Sequence, residues 1–512
     1  MSLPRFAGAL CATLATAVPA WAQFPYGTGA PGTGGIVPTI ACNQPWAGRT
    51  DFAVRVDHAL GGSIGLVLFG TGSSNTSALG LPVYVDLATI ALSEIVLLGG
   101  TPGAGGAGSG QVPLSLASIS PAFIGFELFA QAVLFDPAGP GLGGGWTATS
   151  GLAWQITHEP QLFVACSVGG SSDPRWGAGA VPGTIEFSGG DQYSDNVDGA
   201  AYSNDGRDLY VSSGFGQLAH ADVSTNPPAW SWLNTSIGST GVAWDNVVLD
   251  RERKLVWMMG QPSGSVELLA VDIDQGSATY GQIVHNTTTL SLTVGLIGVF
   301  HMSHDKKLAA VPGLLSPTLH LVDTDSTSAT FLQVVASSPI PPSTLGSPLT
   351  LNVRIRFSPD DSECYVLMQN AGPIPAEIAR YLVGANLWLD HDPATPAIDH
   401  IGPNASPPVP FGSAPLGFDV GKDGALYVCG WGGAGFAGRV VLAGVAPIWT
   451  PLNASSSLQN ARHIALNRDE TVLAVAVANP TTTILFFDAA TLTEFGATSL
   501  GASVDSTVLV WR

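Results

Sequence analysis

The chain has 512 residues, only 11% of them charged, and its 38 acidic against 18 basic side chains leave a formal net charge of −20. Affinity for a phosphate backbone comes from clustered Lys and Arg that release counterions, so this balance opposes nucleic acid as a partner and disfavours anionic membrane surfaces. With 63 Gly, 37 Pro and a mean hydropathy of +0.30, the apolar residues belong to many short buried strands joined by frequent turns, an all-β composition.

Residues 1–22 read as a signal peptide. Arg5 precedes an apolar stretch from Phe6 to Val18, and "PAWA" places the small residues Ala20 and Ala22 where a signal peptidase accepts them. The stretch is too short to span a bilayer, and Leu10 before Cys11 does not fit a lipoprotein signal. The expected location is therefore secreted, periplasmic or cell-surface, with no transmembrane segment after cleavage. Four cysteines then remain, Cys42, Cys166, Cys364 and Cys429, none in a CxxC, and their pairing stays open between disulfides and buried thiols.

Residues 23–150 are expected to form a small β-sandwich-like domain. Gly-rich clusters, "YGTGAPGTGG" and "GGTPGAGGAGSG", separate the strand-like runs "DFAVRVDHAL", "SIGLVLFG", "LPVYVDLATIAL" and "PAFIGFELFAQAVLFDP". The opening "YGTG" and the closing "FELFAQAVLFDPAGPG…SGLAWQI" resemble a β-rich domain of exported environmental bacterial proteins, which implies a companion to a larger module and no chemistry of its own. "SGLAWQI" fits equally as the last strand of this domain or the first strand of the next one.

Residues 151–512 repeat. The stretch "AAYSNDGRDLYVSS" combines an apolar start, a tight Asp-Gly turn and an alternating strand. Its pattern recurs in "VVLDRERKLVWMMG", "VFHMSHDKKLAAVPG", "IRFSPDDSECYVLMQN", "GFDVGKDGALYVCGWG" and "IALNRDETVLAVAVAN", with a weaker copy in "LAWQITHEPQLFVACS". The residue opening the second strand is Leu162, Leu209, Leu255, Leu308, Cys364, Leu426 or Leu473, at intervals of 46 to 62 residues. Third strands end in acidic turns at Asp222, Asp272, Asp323 and Asp488. Such units cannot cover both faces alone, so they stack radially as a β-propeller of seven blades, with six and eight left open. The terminal "STVLVWR" is expected to pair into the first blade and close the ring. The repeat resembles the blade of YVTN-type and lactonase-like seven-bladed propellers, which implies the architecture but not an activity, since such propellers include hydrolases, binding modules and surface proteins.

No GxSxG elbow, HExxH, P-loop or dinucleotide fingerprint is present. Propeller sites are assembled across blades, so the informative position is the start of each innermost strand. The repeat alignment places Gly151/Leu152, Asp198/Gly199, Trp244/Asp245, Ile297/Gly298, Val353/Arg354, Leu416/Gly417 and Arg462/His463 there. Asp198, Asp245, Arg354, Arg462 and His463 are the polar members and the candidate catalytic set: a carboxylate to activate water, an imidazole to transfer a proton, guanidiniums to hold an oxyanion. The alternative is ordinary ion pairing at the rim. Trp388 and Trp431 are candidate binding residues, because an indole near a loop can stack on a sugar or centre a protein contact. "WLDHDPATPAIDH" (388–400) and the pairs Asp272/Asp274 and Asp323/Asp325 offer metal-ligand types, calcium included, but read first as a solvated loop and as turn formers. No cofactor or metal is expected. The leading expectation is an exported non-catalytic binding or surface-interaction protein with a protein or carbohydrate ligand; the alternative is a lactonase-like propeller hydrolase.

Overall fold

The computed structural model describes residues 23–512 other than 43–44, 51, 142, 158–160, 169–170, 181–185, 188–196, 204–205, 214–216, 224–228, 235–236, 238–246, 261–266, 288–298, 313–317, 348–349, 371, 393, 395–397, 432–435, 444–445, 455–456, 479–481, 500–505 and 512. For some strand residues, among them Gln161–Val168, Ser171–Ala180 and Asp198, it describes the backbone alone. The signal-peptide reading falls on residues outside these. Contacts divide the chain into two compact units, the first running to Glu159 and including 204–206, the second comprising 160–203 and 207–512.

The first unit is built on a pair of facing sheets and also contains the two-stranded sheet Ser73–Ala78 and Leu81–Val85. A six-stranded sheet contains the strands Gln23–Tyr26, Ile64–Gly70, Ile90–Leu97, Glu127–Phe135 and Gly151–Gln155, and a three-stranded sheet is formed by Thr39–Cys42, Ala53–Ala59 and Gly108–Pro113. Alternation along Thr39–Cys42 and Ile64–Gly70 turns every second side chain inward. Val54, Val56 and Val112 thereby meet Val67, Phe69, Ala130, Leu152 and Trp154 in one core. The ambiguous "SGLAWQI" belongs here, since Gly151–Gln155 pairs with both Gln23–Tyr26 and Glu127–Phe135. The innermost-strand position read for Gly151/Leu152 is therefore corrected: Leu152 is a core residue of the sandwich.

The second unit is a β-propeller. Among the described residues it contains seven four-stranded antiparallel sheets. Sheets 2 to 7 open with the innermost strands Val197–Tyr202, Val248–Asp250, His301–Met302, Thr350–Phe357, Ala414–Val420 and Ala461–Leu466. Sheet 1 is composite, with Gln161–Val168, Ser171–Ala180 and Glu186–Phe187 joined by the terminal Ser506–Trp511 as its innermost strand. Leu162 through Ser167 pair with Trp511 through Ser506, which bears out the expected closure.

Neighbouring sheets bury each other's faces. Tyr210 and Leu218 of sheet 2 share a core with Val256 and Met258 of sheet 3, and the same sharing links sheets 3 and 4, 4 and 5, 5 and 6, and 6 and 7. The second and third strands of sheet 3 are covered on both faces: every residue of Leu255–Gly260 and Glu267–Asp272 is buried, and the stretches between their ends are apolar. The outermost strand Glu494–Ser499, covered on one face, alternates instead.

Turns between first and second strands latch sheet 3 to 4, 4 to 5 and 6 to 7. Arg253 donates through Nη2 to the Lys306 carbonyl at 2.8 Å and also reaches the Thr324 carbonyl. His304 donates its amide to Asp361 at 2.8 Å, and the Lys422 amide donates to Glu470 at 2.6 Å. Lys306, Asp361 and Glu470 adopt φ near 57°, the left-handed region that these reversals require and that Gly206 and Gly424 fill at lower cost.

Candidate functional site

Among the described residues four of the innermost strands carry a β-bulge, and all four sit at the aligned position. Pairing with the second strand skips one residue between Val197 and Gly199, between Asn352 and Arg354, between Pro415 and Gly417, and between Ala461 and His463. The extra residues are Asp198, Val353, Leu416 and Arg462. A bulge leaves one residue out of the ladder and re-aims the side chains around it. The sequence alignment thus identified a real structural register shared by sheets 2, 5, 6 and 7.

Asp245, with Trp244, Ile297 and Gly298, lies outside the described residues, and for Asp198 the backbone alone is described. Arg354 is buried at 5% exposure, beside the Cys429 thiol, and Arg462 is half-buried. His463 is also buried, and its Nδ1 accepts the Leu509 amide of the closing strand at 3.3 Å. One of its two ring nitrogens therefore bonds the backbone of sheet 1. Trp511 repeats the arrangement in reverse, donating Nε1 to the Ala465 carbonyl at 3.0 Å.

Two further residues were missed from the sequence: Arg356 and Asp419, each two positions beyond the residue that follows a bulge and hence on the same strand face. Asp419 accepts the Leu466 amide of the next sheet and the Val420 amide, each at 2.9 Å. Burial pushes its carboxyl above the ordinary range, against the Arg356 guanidinium, the two amides and His463, which all pull it down. Polar residues recurring at alternate positions past the aligned register were the signal that could have found them. Between them the strands run close: a side chain at Gly417 would strike Cys429 Sγ at 2.6 Å and the Ile464 amide at 2.7 Å.

Of the binding candidates, Trp431 has its side chain outside the described residues. Trp388 is corrected: it is 7% exposed, packs on Tyr381 with ring centroids 4.9 Å apart, and donates Nε1 to Ser338 Oγ at 2.9 Å. Its indole ring and its donor are thus engaged within sheet 5 and at its border with sheet 4.

The acidic segments make hydrogen bonds within their own turns. Asp272 accepts the Asp274 amide at 2.8 Å and the Thr279 hydroxyl at 2.6 Å, and Asp323 is held in the same way by Asp325 and Thr330. Hydrogen bonds from Thr327 and the charge of Lys307 bring the Asp325 carboxyl down to about 2. In the 388–400 segment, Asp390 accepts the amides of Asp392 and Asp399 at 3.0 and 3.1 Å, closing its loop with backbone donors. Among the described residues no three His, Cys, Asp or Glu side chains are grouped to hold a metal ion. Cys42 is buried, Cys364 and Cys429 are buried free thiols, and burial pushes Cys429 up to about 12.

No protein-family model matches the chain, and no curated protein matches it by sequence. Solved structures match by fold. A putative 6-phosphogluconolactonase from Bacteroides fragilis shares 12% identity over 68% of this chain and 98% of its own, with a TM-score of 0.45. The corresponding putative enzyme from Bacteroides uniformis shares 10% over 69% and 100%, with a TM-score of 0.47. The periplasmic gluconolactonase of Pseudomonas aeruginosa shares 12% over 69% and 99%, with a TM-score of 0.46. Among the described residues no helix is long and apolar enough to cross a membrane.

Proposed function

We propose that the protein is a non-catalytic interaction protein, exported and built on a propeller whose channel-end polar residues hold the ring together. The observation that carries this reading is the use made of two groups able to move protons: His463 Nδ1 accepts the Leu509 amide and Asp419 accepts the Leu466 amide, each from the neighbouring innermost strand. Innermost strands have a free edge, and a buried amide left without an acceptor is costly, so these side chains answer a structural demand. The outermost strands support the interaction role: Trp232, Leu387, Ile448 and Phe495, from four different sheets, are each more than 40% exposed.

A second reading, a lactonase-like hydrolase, draws on the bulges at one register and on Asp419, a carboxyl raised toward the pKa of a general acid–base beside a guanidinium and an imidazole. Turnover by the purified full chain on a panel of γ- and δ-lactones separates the two. The expected result is no hydrolysis above background for the native chain. Hydrolysis that Asp419→Asn abolishes while the fold is retained establishes the enzyme instead. For the interaction role, retention on an immobilised glycan panel is expected to fall on Trp232→Ser with the melting temperature unchanged.

A further inference from the structure

The sandwich unit contains a pocket of about 240 Å³ that its own core does not fill. Its floor is the six-stranded sheet, through Phe69, Leu128 and Trp154, and its roof is the 114–126 segment, through Leu114, Phe123 and Phe126. No Lys, Arg, His, Asp or Glu lines it, and the polar groups that do are hydroxyls, among them the exposed Ser118 and Ser120 at the mouth. A charged ligand would lose its hydration there without gaining a counter-charge, which selects a neutral molecule.

The indole of Trp154 makes the pocket more specific. It is 3% exposed, and its Nε1, buried, has no hydrogen-bond acceptor. A buried Trp N–H usually finds a partner, so an orphaned donor in the wall of an apolar pocket marks the place of an acceptor brought by something else. We infer that this pocket binds a small neutral apolar molecule carrying one oxygen acceptor, with the Trp154 Nε1–H donating to that oxygen. The pocket is of a size for a small molecule such as a medium-chain ketone or an aryl ketone. The site lies wholly within residues 69–156 and is independent of the channel.

The test uses an isosteric pair, acetophenone and isopropylbenzene, with binding to the full chain followed by ligand-observed NMR. The ketone is expected to bind roughly three- to tenfold more tightly, the worth of one neutral hydrogen bond. Trp154→Phe is expected to abolish the difference while isopropylbenzene still binds. Because that variant alters a core residue, Ser118→Trp at the exposed mouth provides a second probe, expected to block both ligands with an unchanged melting temperature. Equal affinity for the two ligands, or undiminished binding to Ser118→Trp, overturns the inference.

Discussion

Sheet 1 and sheets 2 to 7 have the same four-stranded form and opposite provenance. Each of the six is cut from one contiguous stretch, so its pairings are between strands adjacent in sequence. Sheet 1 takes its innermost strand from the far end of the chain, where Trp511 pairs with Leu162. Adjacent hairpins cost little chain entropy to form, whereas this last pairing closes a loop spanning nearly the whole propeller. It is also the junction at which His463 and Trp511 exchange hydrogen bonds with the opposite strand, so the closure is fastened by side chains as well as by the ladder. Local sheets form by themselves, and one long-range strand makes them a ring.

The largest test of that difference removes residues 506–512. The deletion exposes the edge of Gln161–Val168 and takes away the buried Leu509 and Trp511, and it is expected to lower the melting temperature by roughly 10 °C or more. A shift no larger than that of a surface substitution would break the comparison, leaving the closing strand dispensable. A local latch should cost less. Arg253→Met leaves Asp250 buried without its guanidinium and frees two carbonyls of sheet 4, for an expected loss of about 3 kcal/mol by denaturant unfolding. His463→Leu removes one acceptor from the closing strand, with an expected loss of about 1–2 kcal/mol and faster hydrogen exchange at the Leu509 amide.

Acid sharpens the comparison further, because carboxyls with opposite shifts sit in different places. Burial raises Asp419 and Glu470 on the innermost-strand side, whereas hydrogen bonds hold Asp272, Asp323 and Asp488 down at the outer turns. A raised carboxyl binds its proton more tightly in the folded chain, so lowering the pH from 7 adds stability as Asp419 and Glu470 protonate. A lowered carboxyl contributes stability above its unfolded value of about 4 and loses it as the pH falls further. The melting temperature is therefore expected to rise modestly below neutrality and to decline under about pH 4, and Asp419→Asn should flatten the rise. The smallest effect concerns the thiols: Cys364 and Cys429, pushed up by burial, are expected to resist alkylation in the native chain and to react on unfolding.

The repeat was legible because it is a local property. Turn residues such as Gly206, Asp361 and Gly424 and the apolar runs after them follow from backbone geometry and burial within a single hairpin, and in sheets 2, 5, 6 and 7 the aligned register coincides with a bulge. Trp388 and His463 were not legible in the same way. Whether an indole near a loop faces solvent or Tyr381, and whether an imidazole faces a channel or the Leu509 amide, depends on residues supplied by other strands.

The chain's sequence by itself determined an all-β propeller with a terminal strand able to close it, since alternation, turn chemistry and repeat length are written within each unit. The tertiary structure decided ownership: "SGLAWQI" went to the sandwich and Ser506–Trp511 filled the vacant innermost place. Either strand satisfies the same pairing chemistry, so the choice rests on which edge each reaches once distant parts of the chain have packed.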